Sequence, residues 1–256
     1  QKGKMLNILH AWWPGGLVIG GLTAVALGKL NASWMVILAT LAIPSTLALI
    51  IILKNNYPKT ERVASNVSFG DMAKEAFNPF FLLLFGLMWV TAASELGPDQ
   101  WFGKIMGDIT GWKSDGILFL VYTAGLMFVL RFFFGGVVHR FSPFAVLSVC
   151  SVLAAVGLYW LGTMTSSTPV VMAFAAATLF GVGKTFYWPT MLGITSERFP
   201  RGGALLMNLM GGAGMLSIAV ALPIMGRMMD EHDAGAALSS VAVLPGILVI
   251  IFAIIG

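Results

Sequence analysis

Charge is what this sequence has least of. Asp, Glu, Lys and Arg make up 10% of its 256 residues, against about 25% in an ordinary soluble domain. Too few polar groups remain to cover a water-facing surface, which excludes a soluble globular protein and makes this a membrane protein. Cysteine is nearly absent as well: Cys150 alone, inside an apolar run, leaves neither a disulfide framework nor a cysteine metal site and reads as a packing residue. No HExxH, no Ser/His/Asp set and no pair of carboxylates sits together in the apolar segments, so neither an enzyme nor a metal or other cofactor is expected. A signal peptide is missing too, because the first apolar segment is of spanning length and carries no cleavage site. The first residue is Gln and the last apolar run stops at Gly256, so the chain reads as an internal piece of a longer protein.

What fills the chain instead is apolar: 58% of its residues are hydrophobic. A spanning helix needs about 20 mostly apolar residues. Eight segments qualify, at 6–28, 33–53, 77–97, 115–138, 144–163, 169–195, 203–228 and 236–255, giving an all-α membrane fold. The connections are short except for 54–76, which carries Lys54, Lys59, Arg62 and Lys74 and reads as a linker between two halves. The net charge of +4 belongs to residues scattered between apolar runs. That is a positive-inside pattern, not a nucleic-acid surface. With a cytoplasmic N-terminus, Lys2, Lys4, the four bases of the long loop, Arg140, Arg198 and Arg201 share the inner side, against Lys29, Lys104, Lys113 and Arg227 outside. Both ends then lie in the cytoplasm, and DEHD (230–233) lies outside as solvated loop residues, with His232 a weaker candidate for a surface cation.

An internal repeat adds to this. HAWWPGGLVIGGLTAVALGK from His10 aligns without gaps on NLMGGAGMLSIAVALPIMGR from Asn208: Gly16 meets Gly214, Gly28 meets Gly226 and Lys29 meets Arg227. Pro44 then meets Pro245 in the following segments. The first two segments thus look like the seventh and eighth in the same orientation, six spans apart. A parallel six-span repeat implies two six-helix halves. Residues 1–53 would be the last two helices of the first half, 54–76 the loop between halves, and 77–256 the second half.

Gly183-Lys184-Thr185 imitates a nucleotide loop, but the glycine required five positions before the Gly-Lys pair is Thr178, inside a spanning helix. Lys184 is therefore a charge near the middle of the membrane, where insertion costs about 2.5–3.5 kcal/mol. It either lines a water-filled cavity or pairs with a neighbour and packs. Tyr187 and Trp188 lie a turn further on, and Pro189 can break the helix there and free carbonyls beside the cavity. Aromatic and polar lining suits sugars; the same lysine would suit an anion. His10 and Asn208, matched in the repeat, either line a central path or donate packing hydrogen bonds. Glu95 falls at the end of its segment and reads as a solvated end, or as a proton-carrying carboxylate; Trp101 reads as an interfacial anchor. The glycines of 15–21 and 211–215 allow close helix approach.

Three stretches carry a family resemblance. RFFFGGVVHRFSP (131–143) has Arg131, Gly135 and Arg140 at places matching a signature loop of the major facilitator superfamily, in the version of its fucose:proton symporter branch, but has His139 where an Asp is common. KTFYWPTMLGITSERFPRGGA (184–204), with Trp188-Pro189-Thr190 and Glu197-Arg198, and NLMGGAGML (208–216) are similar to the tenth and eleventh helices of that family. The resemblance implies about helices 5 to 12 of a twelve-helix transporter, with Arg131, Arg140, Glu197 and Arg198 in the cytoplasmic gate. It implies a secondary active carrier of a sugar or similar small polar solute with protons as coupling ion. Such a carrier is expected as a monomer in the cell (inner) membrane. Within the branch, the coupling carboxylates lie in helices this chain lacks. An organic-anion carrier or an exporter of the same superfamily, or a sensor that has kept the fold and lost transport, are the alternatives.

Overall fold

A computed structural model describes residues 2–59, 61–64, 66–112, 115–138 and 140–256, the side chains of 2–4, 61, 62, 137 and 138 excepted. Expectations for His139 and Lys113, and for the side chains of Lys2, Lys4 and Arg62, lie outside the described residues. The described chain forms helices α1 (Lys2–Lys29), α2 (Trp34–Ala39), α3 (Ala42–Lys54), α4 (Glu61–Ala64), α5 (Phe69–Ala76), α6 (Pro79–Thr110) and α7 (Ile117–Val129). A π-helical turn, Leu130–Phe134, follows, then α8 (Gly135–Val138), α9 (Pro143–Gly162), α10 (Val170–Lys184), α11 (Tyr187–Arg198), α12 (Gly203–Glu231), α13 (Ala234–Val241) and α14 (Val243–Ile255). Joined where they continue one another, they make eight units long and apolar enough to cross a membrane. All eight segments expected from the sequence are present, and the fold is all-α.

The largest departure is α6, which runs to Thr110 and not to residue 97. It starts on Asn78, whose side chain accepts from the Phe80 amide at 2.9 Å, with Pro79 at the first helical position. It ends on Gly111, which takes the left-handed conformation (φ 73°) that glycine adopts without strain. Gly97-Pro98-Asp99-Gln100 resembles a turn, yet Pro98 lies inside the helix. A membrane helix tolerates a proline where neighbouring helices satisfy the freed group. At 1.5 Å per residue, its 32 residues reach about 48 Å, longer than the roughly 30 Å hydrocarbon layer. Glu95 and Asp99 therefore sit near the middle of a helix.

Helix α12 packs on α6, α10 on α9, α14 on α9 and α1 on α7. The α9/α10 contact is backbone against backbone: a Cβ on Gly157 would overlap the Phe180 backbone, and one on Gly183 the Ala154 backbone. Small residues at such crossings let helices gain dispersion contact in lipid, where no hydrophobic force drives them together. Helices α2 and α3 are the contrast, since none of their residues is buried. In the connection leading to α6, Ser68 caps α5, Met72 is buried, and Asp71 lies 3.9 Å from Arg201 of the α11–α12 connection. Trp101, expected at the interface, is half-buried on α6 with its ring against Gly226 of α12.

Candidate functional site

Two carboxylates on α6 meet two cations from other elements in the middle of the bundle. Glu95 and Asp99 are one turn apart, so they share a broad face of the helix. The Arg131 guanidinium donates from Nη2 to Glu95 Oε1 at 3.3 Å, and both side chains are 2% exposed. The Lys184 ammonium donates to Asp99 Oδ1, with both groups again buried, and lies 4.8 Å from the centre of the Phe180 ring. Each charge alone would be costly at this depth; in pairs the four sum to zero.

Local structure delivers each partner. The π turn inserts an extra residue between α7 and α8, a distortion frequent at functional sites. It carries Arg131 into the core while Phe132, Phe133 and Phe134 stay exposed. On the other side, α10 ends at Lys184 and α11 begins at Tyr187, with Phe186 (φ −104°, ψ 4°) at the break. Pro189 is the reason, although the break lies upstream of it: it has no amide to donate to the carbonyl four residues before it, that of Thr185. That carbonyl instead accepts from Arg131 Nε at 2.6 Å. Arg131 Nη1 donates to the His10 carbonyl of α1 at 3.1 Å, so one guanidinium reaches three elements.

Beside this cluster lies a cavity of about 230 Å³ lined by His10, Trp13, Glu95, Leu96, Arg131, Trp188 and Met215. The second oxygen of Glu95 is buried and has no hydrogen-bond partner among the described residues. A larger pocket, about 420 Å³, opens further along α6 and is lined by Asp99, Gln100, Lys104 and Asp108 among others. Successive turns of α6 therefore present one carboxylate to each space.

His10 and Trp188 line the smaller cavity, as the sequence suggested. Lys184 does not: it is fully buried against Asp99, the pairing alternative rather than the lining one. Tyr187 is fully buried too, and its hydroxyl donates to Ser151 Oγ at 3.1 Å. Asn208 is exposed on α12 and is not among the lining residues. The solvated-end reading of Glu95 is overturned by its burial, and so is the absence of paired carboxylates, because α6 continues past both acids. Arg131 does not lie with Arg140, Glu197 and Arg198, with which the resemblance grouped it: it is 1% exposed, whereas those three are exposed, Arg198 lying 5.9 Å from the Phe80 ring. One signal in the sequence could have found one of the pairs. Lys184 lies far from either end of its span, and a charge there seldom stays in a membrane without an opposite one.

Two prolines, Pro98 and Pro189, and a π turn thus lie beside the buried ion pairs. Residues 1–205 match the family model of the Major Facilitator Superfamily. No curated protein matches the chain. With eight spanning helices and a match over most of its length, the chain belongs to the Major Facilitator Superfamily, whose members are membrane transporters.

Proposed function

We propose that this chain is the solute-handling part of a secondary active transporter that moves a sugar or similar small polar solute together with protons. The observation that carries the reading is the 230 Å³ cavity. It combines two tryptophans, Trp13 and Trp188, with His10 and a buried carboxylate that has an acceptor oxygen to spare. Rings stack on the C–H faces of a sugar, and Glu95 Oε2 accepts from a hydroxyl or takes up the coupling proton. Neutrality of the four-charge cluster supports an uncharged solute, because a charged one would enter uncompensated. The organic-anion alternative needed a free Lys184, and its pairing with Asp99 removes that support.

In this reading, residues 1–53 belong to the first six-helix half, 54–76 link the halves and 77–256 form the second, working as a monomer with both ends cytoplasmic in the inner membrane. The Asp71 contact with Arg201 fits a linker on the inner side. Arg140, Glu197 and Arg198 serve the cytoplasmic gate, and Lys184 and Tyr187 support the cavity wall from behind. Asn208 enters the path when the halves rock.

The test is uptake of labelled L-fucose, and then of other neutral monosaccharides, by cells making the full-length protein at several external pH values. Uphill accumulation that collapses with the proton gradient, and a Glu95→Gln variant that no longer accumulates, are expected. Equal entry with the gradient collapsed would sink proton coupling. No uptake of any sugar by a well-expressed protein would favour the sensor.

A further inference from the structure

Two proline-containing segments, the unbroken helix α1 and the α10–α11 break, each have a carbonyl that a proline has deprived of its donor. A proline removes the amide that would bond the carbonyl four residues earlier. In α1 that proline is Pro14 and the carbonyl is His10; at the α10–α11 break they are Pro189 and Thr185. In lipid, an orphaned carbonyl has no water to turn to. The two carbonyls reached by the Arg131 guanidinium are these two, His10 from Nη1 at 3.1 Å and Thr185 from Nε at 2.6 Å.

We propose that Arg131 is a positioning residue that replaces the two missing backbone donors and so pins α1 and the α10–α11 break, each carrying a proline, to one another across the solute cavity. Both helices supply cavity wall: His10 from α1 and Trp188 from α11. The spacing of those walls is set by a planar group whose N–H bonds point in fixed directions, with Glu95 holding the remaining edge. The π turn is the matching distortion in the third helix. Next to it, a Cβ on Gly135 would come 2.7 Å from the Asn7 Cβ, so α1 lies close to the segment that carries the arginine. Lysine at 131 would keep the charge facing Glu95, but its three N–H bonds share a single nitrogen, which cannot stand at the separate positions of Nε, Nη1 and Nη2. The pin concerns the empty protein and rests on the transporter reading only for what the cavity holds.

The experiment compares Arg131→Lys in two backgrounds of the purified full-length protein, the natural one and Pro14→Ala/Pro189→Ala, in which backbone amides can serve both carbonyls. Melting temperature should fall by about 3 °C or more in the natural background and by much less in the alanine background. An equal fall in both would overturn the proposal. If Arg131→Lys alone yields no folded protein, recovered yield of the triple variant is the same readout. A second measurement separates pinning from simple satisfaction of carbonyls. Spin labels at Leu9→Cys, an exposed site, and Gly193→Cys, where a side chain meets open space, in a Cys150→Ala chain, report the spacing of α1 and α11. The distance distribution should broaden with Arg131→Lys and stay broad in the alanine background; an unchanged distribution would show that no pin exists. Neither readout uses a solute, so both stand even if sugar uptake fails.

Discussion

Helix α6 and the α2–α3 pair are both membrane spans, and they treat their side chains in opposite ways. The α2–α3 span is almost purely apolar, and none of its residues is buried. Helix α6 carries Glu95, Asp99, Thr91 and Ser94, and buries residues from Phe81 to Ile109. In water the more apolar helix would be the one inside. In lipid the order reverses, because hydrocarbon accepts a leucine as readily as a protein core does and only polar groups need protein around them. In this pair of spans the more polar one is the buried one.

The largest break in that contrast comes from unpairing α6. Arg131→Met leaves Glu95 without its partner, and should cost about 3–5 kcal/mol. It should lower the melting temperature and the yield of solubilised protein, with part of the loss recovered by adding Glu95→Gln. Lys184→Met strands Asp99 in the same way, with a smaller loss because Asp99 borders the larger, more open pocket. Lys184→Met/Asp99→Asn should melt close to the parent, and a double variant as weak as the single one would mean that the pair is not the reason for burying Lys184. Outside the spans, the Ser68 hydroxyl donates to Asp71, and that bond, with Arg201 and Lys74 nearby, holds the Asp71 carboxyl below its usual range. The folded value is depressed, so the contact stabilises the start of α5 above the ordinary carboxylate range and is lost as pH falls through the depressed value. Ser68→Ala should return the Asp71 titration toward the usual value, read by NMR or by pH-dependent proteolysis of the loop, with little change in overall melting. Smallest of all should be Leu49→Ala on α3, where the side chain is 55% exposed. A large drop there would mean that something in the assembled protein covers this span.

Much of the fold was legible because membrane insertion reads composition locally. Runs of about 20 apolar residues announced all eight spans, and the resemblance at 131–143 and 184–204 named the superfamily that the family match bears out. His10 and Trp188 were legible as cavity residues from a repeat and a motif. The partners of Lys184 and Arg131 were not, because 85 and 36 residues separate them from Asp99 and Glu95. Gly97-Pro98 made matters worse by imitating a helix end within α6.

By itself the sequence determined that this chain lives in a bilayer, how many times it crosses and where its helices are weakened. Each of these depends on a short window: a hydropathy run, a proline without its amide, a glycine able to turn left-handed. Only the tertiary structure decided what stands opposite each weak point. It set one arginine across two proline-orphaned carbonyls and a carboxylate, and it gave Lys184 to Asp99 rather than to the cavity. The physical reason is that an unmet charge or carbonyl in hydrocarbon must find a partner wherever the packing brings one. That partner lies far away in sequence and close only once the helices have come together.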